Sequence, residues 1–241
     1  MLPDFTPLDY VAVGWFFACW AGYALLVDRG RLYRRSVSGH MHQHRRRWMR
    51  NMILRELRMV DTQIHASLVN GILFFASTSI LLVGGLMTVL GATEEVISVM
   101  ADLPLGAPVS RAAWEIKIVL LIVIFVYAFF KFAWCYRLCS NCSIMVGAAP
   151  RDAELNAEAE AFADRIAQLY SLSGRHFHKG LRAYFFALAS VCWLVNPVLF
   201  ILATAWVLAV LIRRDFRSQT FDIIKTEAVK PRNNEPPRTK N

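Results

Sequence analysis

The stretch LVNGILFFASTSILLVGGLMTVL, residues 68–90, decides the fold class because it runs for 23 residues without a charged side chain. An α-helix rises about 1.5 Å per residue, so roughly 20 apolar residues cross a bilayer core about 30 Å thick. Lipid cannot hydrogen-bond to bare peptide groups, which leaves a helix as the structure that one segment can adopt there. The stretch therefore predicts a membrane-spanning helix.

Three further blocks are apolar over a comparable length, at residues 8–27, 116–136 and 184–212. Hydrophobic residues make up 56% of the 241 residues, which is more than an ordinary soluble domain contains. We expect the first block to be a retained anchor, because it lacks the basic flank and the cleavage site of a signal peptide. The sequence predicts an all-α, polytopic helical membrane protein whose single domain covers residues 1–225.

Basic residues are concentrated in alternate connections between these blocks. Lys and Arg number none in residues 1–7, ten in 28–67, one in 91–115, six in 137–182 and eight in 213–241. Cytoplasmic loops of membrane proteins are enriched in Lys and Arg. The charge pattern therefore predicts an amino terminus outside the cell and a basic loop, 28–67, in the cytoplasm.

The fourth block is too long for one crossing, since its residues would span about 43 Å as a single helix. A single crossing would also place the eight basic residues of 213–241 outside. Asn196 is a preferred N-cap residue, and Pro197 suits the first position of a helix. We predict a break at Asn196-Pro197 between two membrane segments, 179–195 and 197–217. One long helix kinked at Pro197 is the alternative.

Two amphipathic helices are predicted on the cytoplasmic side, the first over residues 45–61. It places arginines and apolar side chains on opposite faces, which is typical of a helix at the lipid headgroups. We expect it to bind anionic phospholipid through Arg45, Arg46, Arg47, Trp48 and Arg50. A cytoplasmic extension of the next membrane helix is the alternative.

The second amphipathic helix is predicted over residues 152–171. It carries a heptad-like apolar seam made of Leu155, Ala159, Phe162, Ile166 and Leu169. Such a seam packs either within the chain or against another subunit. Residues 226–241 contain three prolines and few apolar side chains, which predicts a disordered tail.

Polar side chains are concentrated in the second membrane segment and just before it. A polar group in a bilayer needs a partner or water, so this cluster is the candidate pathway for an ion or small solute. Its members are Asp61, Gln63, His65, Asn70, Ser77, Thr78 and Ser79. Ser and Thr often hydrogen-bond back to their own helix, which is the alternative for residues 77–79. Lys131 is expected to extend toward the interface, with a buried pairing to Asp61 as the alternative.

Three cysteines recur at spacings of four and three, so their sulfurs fall on one side of a helix. They are Cys135, Cys139 and Cys142, and His176 and His178 are expected at the same membrane face. Soft metals bind such ligands, but apolar packing explains the cysteines as well, and we predict no metal and no cofactor. Gly84-Gly85 predicts close helix packing. No nucleophile, phosphate-binding or HExxH motif is present, so no residue pattern argues for an enzyme.

Several stretches together resemble the bacterial and plant membrane family catalogued as domain of unknown function 599. They are RRRWMRNM, RMVDTQI, FFASTSILLVGG, FKFAWCYRLCSNCSIMVGA, HKGLRAYFFALA, WLVNPVLFILAT and RRDFRS. The resemblance covers nearly all of residues 8–220. It implies a multi-pass helical protein of about this length and supplies no catalytic residue. It also implies that Asn141-Cys142-Ser143 and Asp61-Thr62-Gln63 belong to a family pattern, and we expect a bacterial inner (plasma) membrane location.

Two functions are compatible with these features. The first is a homo-oligomeric conduit for an ion or small solute, lined by the second membrane segment. The alternative is a non-catalytic accessory or scaffold subunit that binds anionic lipid or a membrane protein partner. The net charge of +9 does not predict a nucleic-acid partner, because the arginines flank membrane helices.

Overall fold

The computed structural model describes residues 5–29, 37–101, 110–150 and 156–216. These residues form seven α-helices and contain no strand, which confirms the predicted all-α class. The helices are α1 Pro7–Arg29, α2 Val37–Ile53, α3 Met59–Gly91, α4 Thr93–Ala101, α5 Arg111–Gly147, α6 Ala157–Val195 and α7 Pro197–Phe216. The predicted tail, 226–241, lies outside the described residues.

Among the described residues, four helices are long and apolar enough to cross a membrane, which fits a multi-pass membrane protein. Their apolar parts are Pro7–Val27, Met59–Gly91, Arg111–Gly147 and Pro197–Asp215. The predicted segment 179–195 forms the end of α6 and is not one of these four. That segment has only 17 residues, begins with Lys179 and contains Arg182, so its apolar part is short.

The predicted break at Asn196-Pro197 is present. Asn196 has an extended backbone, with φ −158° and ψ 136°, between the end of α6 and the start of α7. Its side-chain oxygen accepts a hydrogen bond of 2.8 Å from the Val198 amide, as an N-cap residue does. Helix α7 then returns along α6, since the Arg214 guanidinium lies 5.2 Å from the Phe185 ring. The two helices form a hairpin rather than one kinked helix.

Contacts between distant residues define two ends of the molecule. At the end that we call the Asp9 end, Trp193 Nε1 donates to Asp9 Oδ1 at 2.8 Å and Lys117 Nζ donates to the Trp193 carbonyl at 3.0 Å. At the opposite end, which we call the basic end, the Tyr23 hydroxyl donates to Asp215. The chain between Asp9 and Asp215 therefore alternates direction through α1, α3, α5, α6 and α7.

Two apolar cores hold the helices together. The larger core joins α1, α3, α5, α6 and α7 and is rich in aromatic rings, of which Phe16, Phe132, Phe186 and Phe200 are fully buried. Gly180 of α6 lets that helix approach the Phe132 ring, because a Cβ built there would lie 2.6 Å from Phe132 Cζ. The smaller core, at the basic end, joins α2 to α5 and α6.

The amphipathic helices differ from the prediction in their bounds. Helix α2 ends at Ile53 rather than continuing to residue 61, and α3 begins at Met59. The chain turns between them because Arg55 and Trp48 both bind Asp61, which brings the start of α3 back against α2. Residues 59–61, the last three of the predicted segment, belong to α3, whereas residues 45–53 form a separate helix.

The predicted helix 152–171 is the first part of α6, which continues without a break to Val195. Helix α6 begins after Asn156, whose side chain accepts from the Ala159 amide at 2.8 Å. No proline interrupts the following residues, so the amphipathic and membrane parts form one helix. Its seam packs within the chain, with Ile166 and Met52 both fully buried in the smaller core. Leu155 lies outside the described residues.

Candidate functional site

The predicted polar pathway is divided between two faces of α3. Successive residues of a helix are rotated by about 100°, so members of the cluster point in different directions. Asp61 and Ser79 are buried and His65 is half-buried, which places these three on the inward face. Gln63, Asn70 and Ser77 are exposed on the opposite face, and Thr78 lies at the boundary between the two faces.

Asp61 joins α3 to the end of α2. Its side chain is 1% exposed, and Oδ1 accepts hydrogen bonds of 2.7 Å from both Trp48 Nε1 and Arg55 Nη1. Oδ2 has no hydrogen-bond partner among the described residues. Lys131 is not the partner of this carboxylate, because its ammonium lies 4.9 Å from the Tyr127 ring. The ion pair between the buried Asp61 and the exposed Arg55 holds the turn 54–58 against α3.

His65 pairs with a residue that the sequence did not single out. Its Nδ1 lies 2.6 Å from the Tyr170 hydroxyl of α6. Burial, with the nearby Cys142, raises the pKa of Tyr170 above its ordinary value, so the hydroxyl keeps its proton. Either group can donate in this contact, and the tautomer of His65 decides which one does. In the tautomer that accepts from Tyr170 at Nδ1, a neutral His65 carries its proton on Nε2.

The hydroxyl groups near the centre of α3 bond back to their own helix, as the alternative interpretation expected. Thr78 donates to the Phe74 carbonyl and Ser79 to the Phe75 carbonyl, at 2.8 and 2.7 Å. Ser79 Oγ also lies 2.9 Å from the Tyr184 hydroxyl. Both side chains are satisfied within the subunit, and Ser79 contributes to the packing of α3 on α6.

The outward face of α3 carries a stripe of polar side chains at seven-residue intervals. Gln63, Asn70 and Ser77 are all exposed, and none has a hydrogen-bond partner within the parts of the chain that the structure describes. Gly84 continues the seven-residue spacing, and a Cβ built on it would meet nothing within 4 Å. The same holds for Gly85, so the close helix packing predicted for Gly84-Gly85 does not occur within the subunit. The seven-residue spacing was present in the sequence and could have indicated this stripe.

The arginines expected to bind lipid mainly dock α2 onto α6. Arg46 forms a two-pronged ion pair with Asp164, and this pairing lowers the pKa of Asp164 below its ordinary value. Arg50 pairs with Glu160. Trp48 turns inward to Asp61 rather than outward.

The other two arginines of the predicted set differ from each other. The Arg45 guanidinium passes close to Gly174, whose built Cβ would lie 3.0 Å from Arg45 Nη2. Arg47 is exposed. Of the five residues expected to bind lipid, Arg47 is thus the one that makes no described contact to α6, and its side chain is exposed.

The cysteines are arranged by packing. Cys135 and Cys139 are buried, and their sulfurs lie 3.1 and 3.0 Å from the Ser173 hydroxyl. They line a cavity of about 120 Å³ together with His178, whereas Cys142 lies in the smaller core. The described part of the chain contains no group of three His, Cys, Asp or Glu side chains arranged to hold a metal ion.

A larger cleft opens between the start of α3 and the end of α5. Its volume is about 560 Å³, and its polar lining comprises Glu56, Arg58, Thr62, His65 and Ser143. Arg58 spans from the turn 54–58 to α5, where it donates to the carbonyls of Val146, Ala149 and Pro150 at 3.2, 3.0 and 2.8 Å. This cleft brings together side chains that lie about 80 residues apart in the sequence.

Comparison with known proteins gives a family and no individual relative. No curated protein and no solved structure matches the chain. One family model, described as "Protein of unknown function, DUF599", matches residues 11–220, a range that includes all the membrane-crossing helices except the first four residues of α1. Because the match covers most of the chain, this protein belongs to the DUF599 family.

Proposed function

We propose that this protein is a homo-oligomeric membrane protein in which α3 of each subunit lines a conduit for an ion or small polar solute. The observation that carries the proposal is the outward stripe of Gln63, Asn70 and Ser77. These side chains lie on the one membrane-crossing helix that is least covered by the rest of the subunit.

A polar stripe in the membrane costs free energy unless water or another polar surface contacts it. A carboxamide in hydrocarbon has no water to bond to, and polar side chains in membrane helices usually face another helix or a watery cavity. Asn70, which lies inside the apolar stretch 68–90, carries a donor and an acceptor, so the same face of a second copy can satisfy it, while Gln63 lies five residues before that stretch. Gly84 allows two such faces to approach closely. The stripe is therefore self-complementary.

The packing inside one subunit favours a path for the solute between subunits over a path through a single subunit. The Phe132 ring lies 5.5 Å from the Phe75 ring and 5.7 Å from the Phe177 ring, and the Tyr184 ring lies 5.6 Å from Phe75. These packed rings fill the space between α3, α5 and α6. Polar groups available to a solute are those on the outward face of α3.

Crosslinking in native membranes tests the assembly. Ser77→Cys is expected to form a covalent dimer on mild oxidation, because symmetry-related copies of this position face each other. Leu188→Cys is the matched control, since Leu188 is 64% exposed and lines a groove between α6 and α7. Four of the five native cysteines are buried and contribute little background. Equal crosslinking of the two variants, or none at Ser77→Cys, would contradict the proposed interface.

Flux measurements test the conduit. Liposomes that contain the purified protein are expected to pass an ion or small polar solute faster than empty liposomes. Asn70→Leu is expected to abolish this flux, whereas Asn70→Gln keeps the carboxamide and part of the flux. If Ser77→Cys crosslinks but no solute of a broad panel crosses, the conduit is refuted and the oligomer is better explained as an accessory or scaffold subunit.

We further propose that the basic end faces the cytoplasm of a bacterial inner membrane. The alternation of helix direction supports this orientation, because it brings the basic segments 37–58 and 213–216 to the same end. The acidic residues Glu94 and Glu95 fall near the opposite end, beside the start of α5. A reporter fused after Arg35 that becomes active in the periplasm would contradict this orientation.

A further inference from the structure

The cleft between α3 and α5 has the size and the lining of a small-molecule site. Its volume of about 560 Å³ falls within the range of ligand pockets. It opens beside the inward face of α3, at the basic end, and shares no residue with the stripe of Gln63, Asn70 and Ser77. What binds in this cleft is therefore independent of the proposed conduit.

Arg58 supplies a fixed cation to the cleft. Three of its five N–H groups are bound to the carbonyls of Val146, Ala149 and Pro150, two from Nη1 and one from Nη2. Nε–H and the second hydrogen of Nη2 are left for a ligand. Because the carbonyls at the end of α5 hold the guanidinium in one position, it needs little reorganisation to bind an anion.

Two neutral donors accompany this cation. The Tyr170 hydroxyl occupies Nδ1 of His65, which leaves Nε2 for the cleft; when Nδ1 accepts from Tyr170, the neutral ring offers Nε2–H to a ligand. Ser143 is exposed at the cleft, and its hydroxyl has no partner within the described ranges. A guanidinium with an imidazole N–H and a hydroxyl is a set of donors suited to phosphate oxygens.

A carboxylate lines the same cleft. Glu56 is exposed there, so a ligand that carried negative charge alone would be repelled by it. A ligand with a phosphate and an ammonium group satisfies both Arg58 and Glu56. The Leu57 side chain of the cleft is 76% exposed, and Ile144, next to Ser143, is 68% exposed. These apolar side chains, on or beside membrane-crossing helices, indicate that hydrocarbon lies next to the cleft.

We infer that this cleft binds the headgroup of a zwitterionic phospholipid with a primary ammonium. Its phosphate accepts hydrogen bonds from Arg58, His65 and Ser143, and its ammonium donates to Glu56. The acyl chains lie against Leu57 and Ile144 at the surface of α3 and α5. A trimethylated ammonium has no N–H to donate to Glu56, and a glycerol headgroup has no cation, so both bind less tightly.

Lipid retention by the full-length purified protein tests this inference. The protein in detergent is titrated with phosphatidylethanolamine, phosphatidylcholine or phosphatidylglycerol, and bound lipid is counted by native mass spectrometry. Phosphatidylethanolamine is expected to bind about tenfold more tightly than either of the others, the effect of one hydrogen bond to a charged group. Soluble phosphoethanolamine is expected to compete only weakly, because it lacks acyl chains.

Variants at the cleft separate this site from general lipid binding. Glu56→Ala, which removes the acceptor, is expected to remove the preference over phosphatidylcholine, whereas Glu95→Ala, at an exposed glutamate near the Asp9 end, leaves it unchanged. Ser143→Ala is expected to weaken all three lipids without altering their order. Equal binding of the three lipids by the unaltered protein overturns the inference. If soluble phosphoethanolamine competes fully, the occupant is not a lipid, and the inference is overturned.

Discussion

The contact between Gly180 and Phe132 predicts that a single methyl group at position 180 destabilises the protein. A Cβ built on Gly180 would lie 2.6, 2.7 and 2.9 Å from three ring carbons of Phe132. The ring is fully buried and is surrounded by the rings of Phe75 and Phe177, so it has no free space into which to move. In Gly180→Ala either α6 must withdraw from α5 or the ring must leave its position.

The size of the effect follows from two opposing contributions. Overpacking of a filled core costs about 3 kcal/mol at the upper end of the usual range, because both the backbone and the ring are held. Replacement of Gly by Ala within a helix stabilises the folded state by about 1 kcal/mol. The expected net loss is about 2 kcal/mol, which for a chain of this length lowers the melting temperature by roughly 4–8 °C. Thermal unfolding of the detergent-solubilised protein, followed by tryptophan fluorescence, measures this shift.

Two further variants make the test specific to this contact. Gly14→Ala is the matched control, because a Cβ there meets nothing within 4 Å, and its melting temperature is expected to equal or exceed that of the unaltered protein. Phe132→Leu removes ring atoms from the contact and is expected to make the added methyl group of Gly180→Ala less damaging. If Gly180→Ala melts at the same temperature as Gly14→Ala, the proposed close approach of α6 to α5 is wrong.

Three other predictions concern the basic end and the cysteines. Asp61→Ala leaves the partly buried Trp48 Nε1 without its acceptor and is expected to lower the free energy of unfolding by about 1–3 kcal/mol, measured in the same thermal assay; unchanged melting would contradict the role of this junction. Burial and three nearby arginines lower the pKa of His42, which bonds Ser171 at 2.8 Å, so its contribution to stability is complete above pH 6.5 and is lost as the pH falls through the pKa of the folded state. His42→Gln is expected to flatten the pH dependence of the melting temperature between pH 7 and pH 5, and an unaltered slope would count against it. An apolar maleimide is expected to label Cys192 first, because it is the one native cysteine that is not buried; mass spectrometry that finds another cysteine modified first would refute this order.

Local patterns were sufficient to predict the all-α class and most of the helices, but not α4, nor the joining of the predicted helices 152–171 and 179–195 into α6. Long apolar stretches predicted α1, α3 and α5 because the bilayer imposes a minimum length on each apolar helix. The break at Asn196 followed from the capping preferences of Asn and Pro, which depend on a few neighbouring residues. The bounds were less accurate where a helix continues beyond its apolar part, as α6 does from Ala157 to Val195.

The two faces of α3 illustrate what local patterns leave open. Asp61, Asn70 and Ser79 are all polar residues of one helix, and composition alone grouped them into a single pathway. Their separation depends on which side of α3 contacts α5 and α6, a choice made by aromatic packing around Phe75 and Phe132.

The sequence by itself determined that apolar helices cross a membrane and which of their connections are basic, because length and charge act over short distances along the chain. Only the tertiary structure decided that Asp61 binds Trp48 and Arg55, that the Tyr170 hydroxyl meets Nδ1 of His65, and that Arg58 meets the end of α5. These contacts join different helices or a helix and a turn, and their geometry depends on how whole helices pack. The outward stripe of α3 and the cleft beside α5 are consequences of that packing.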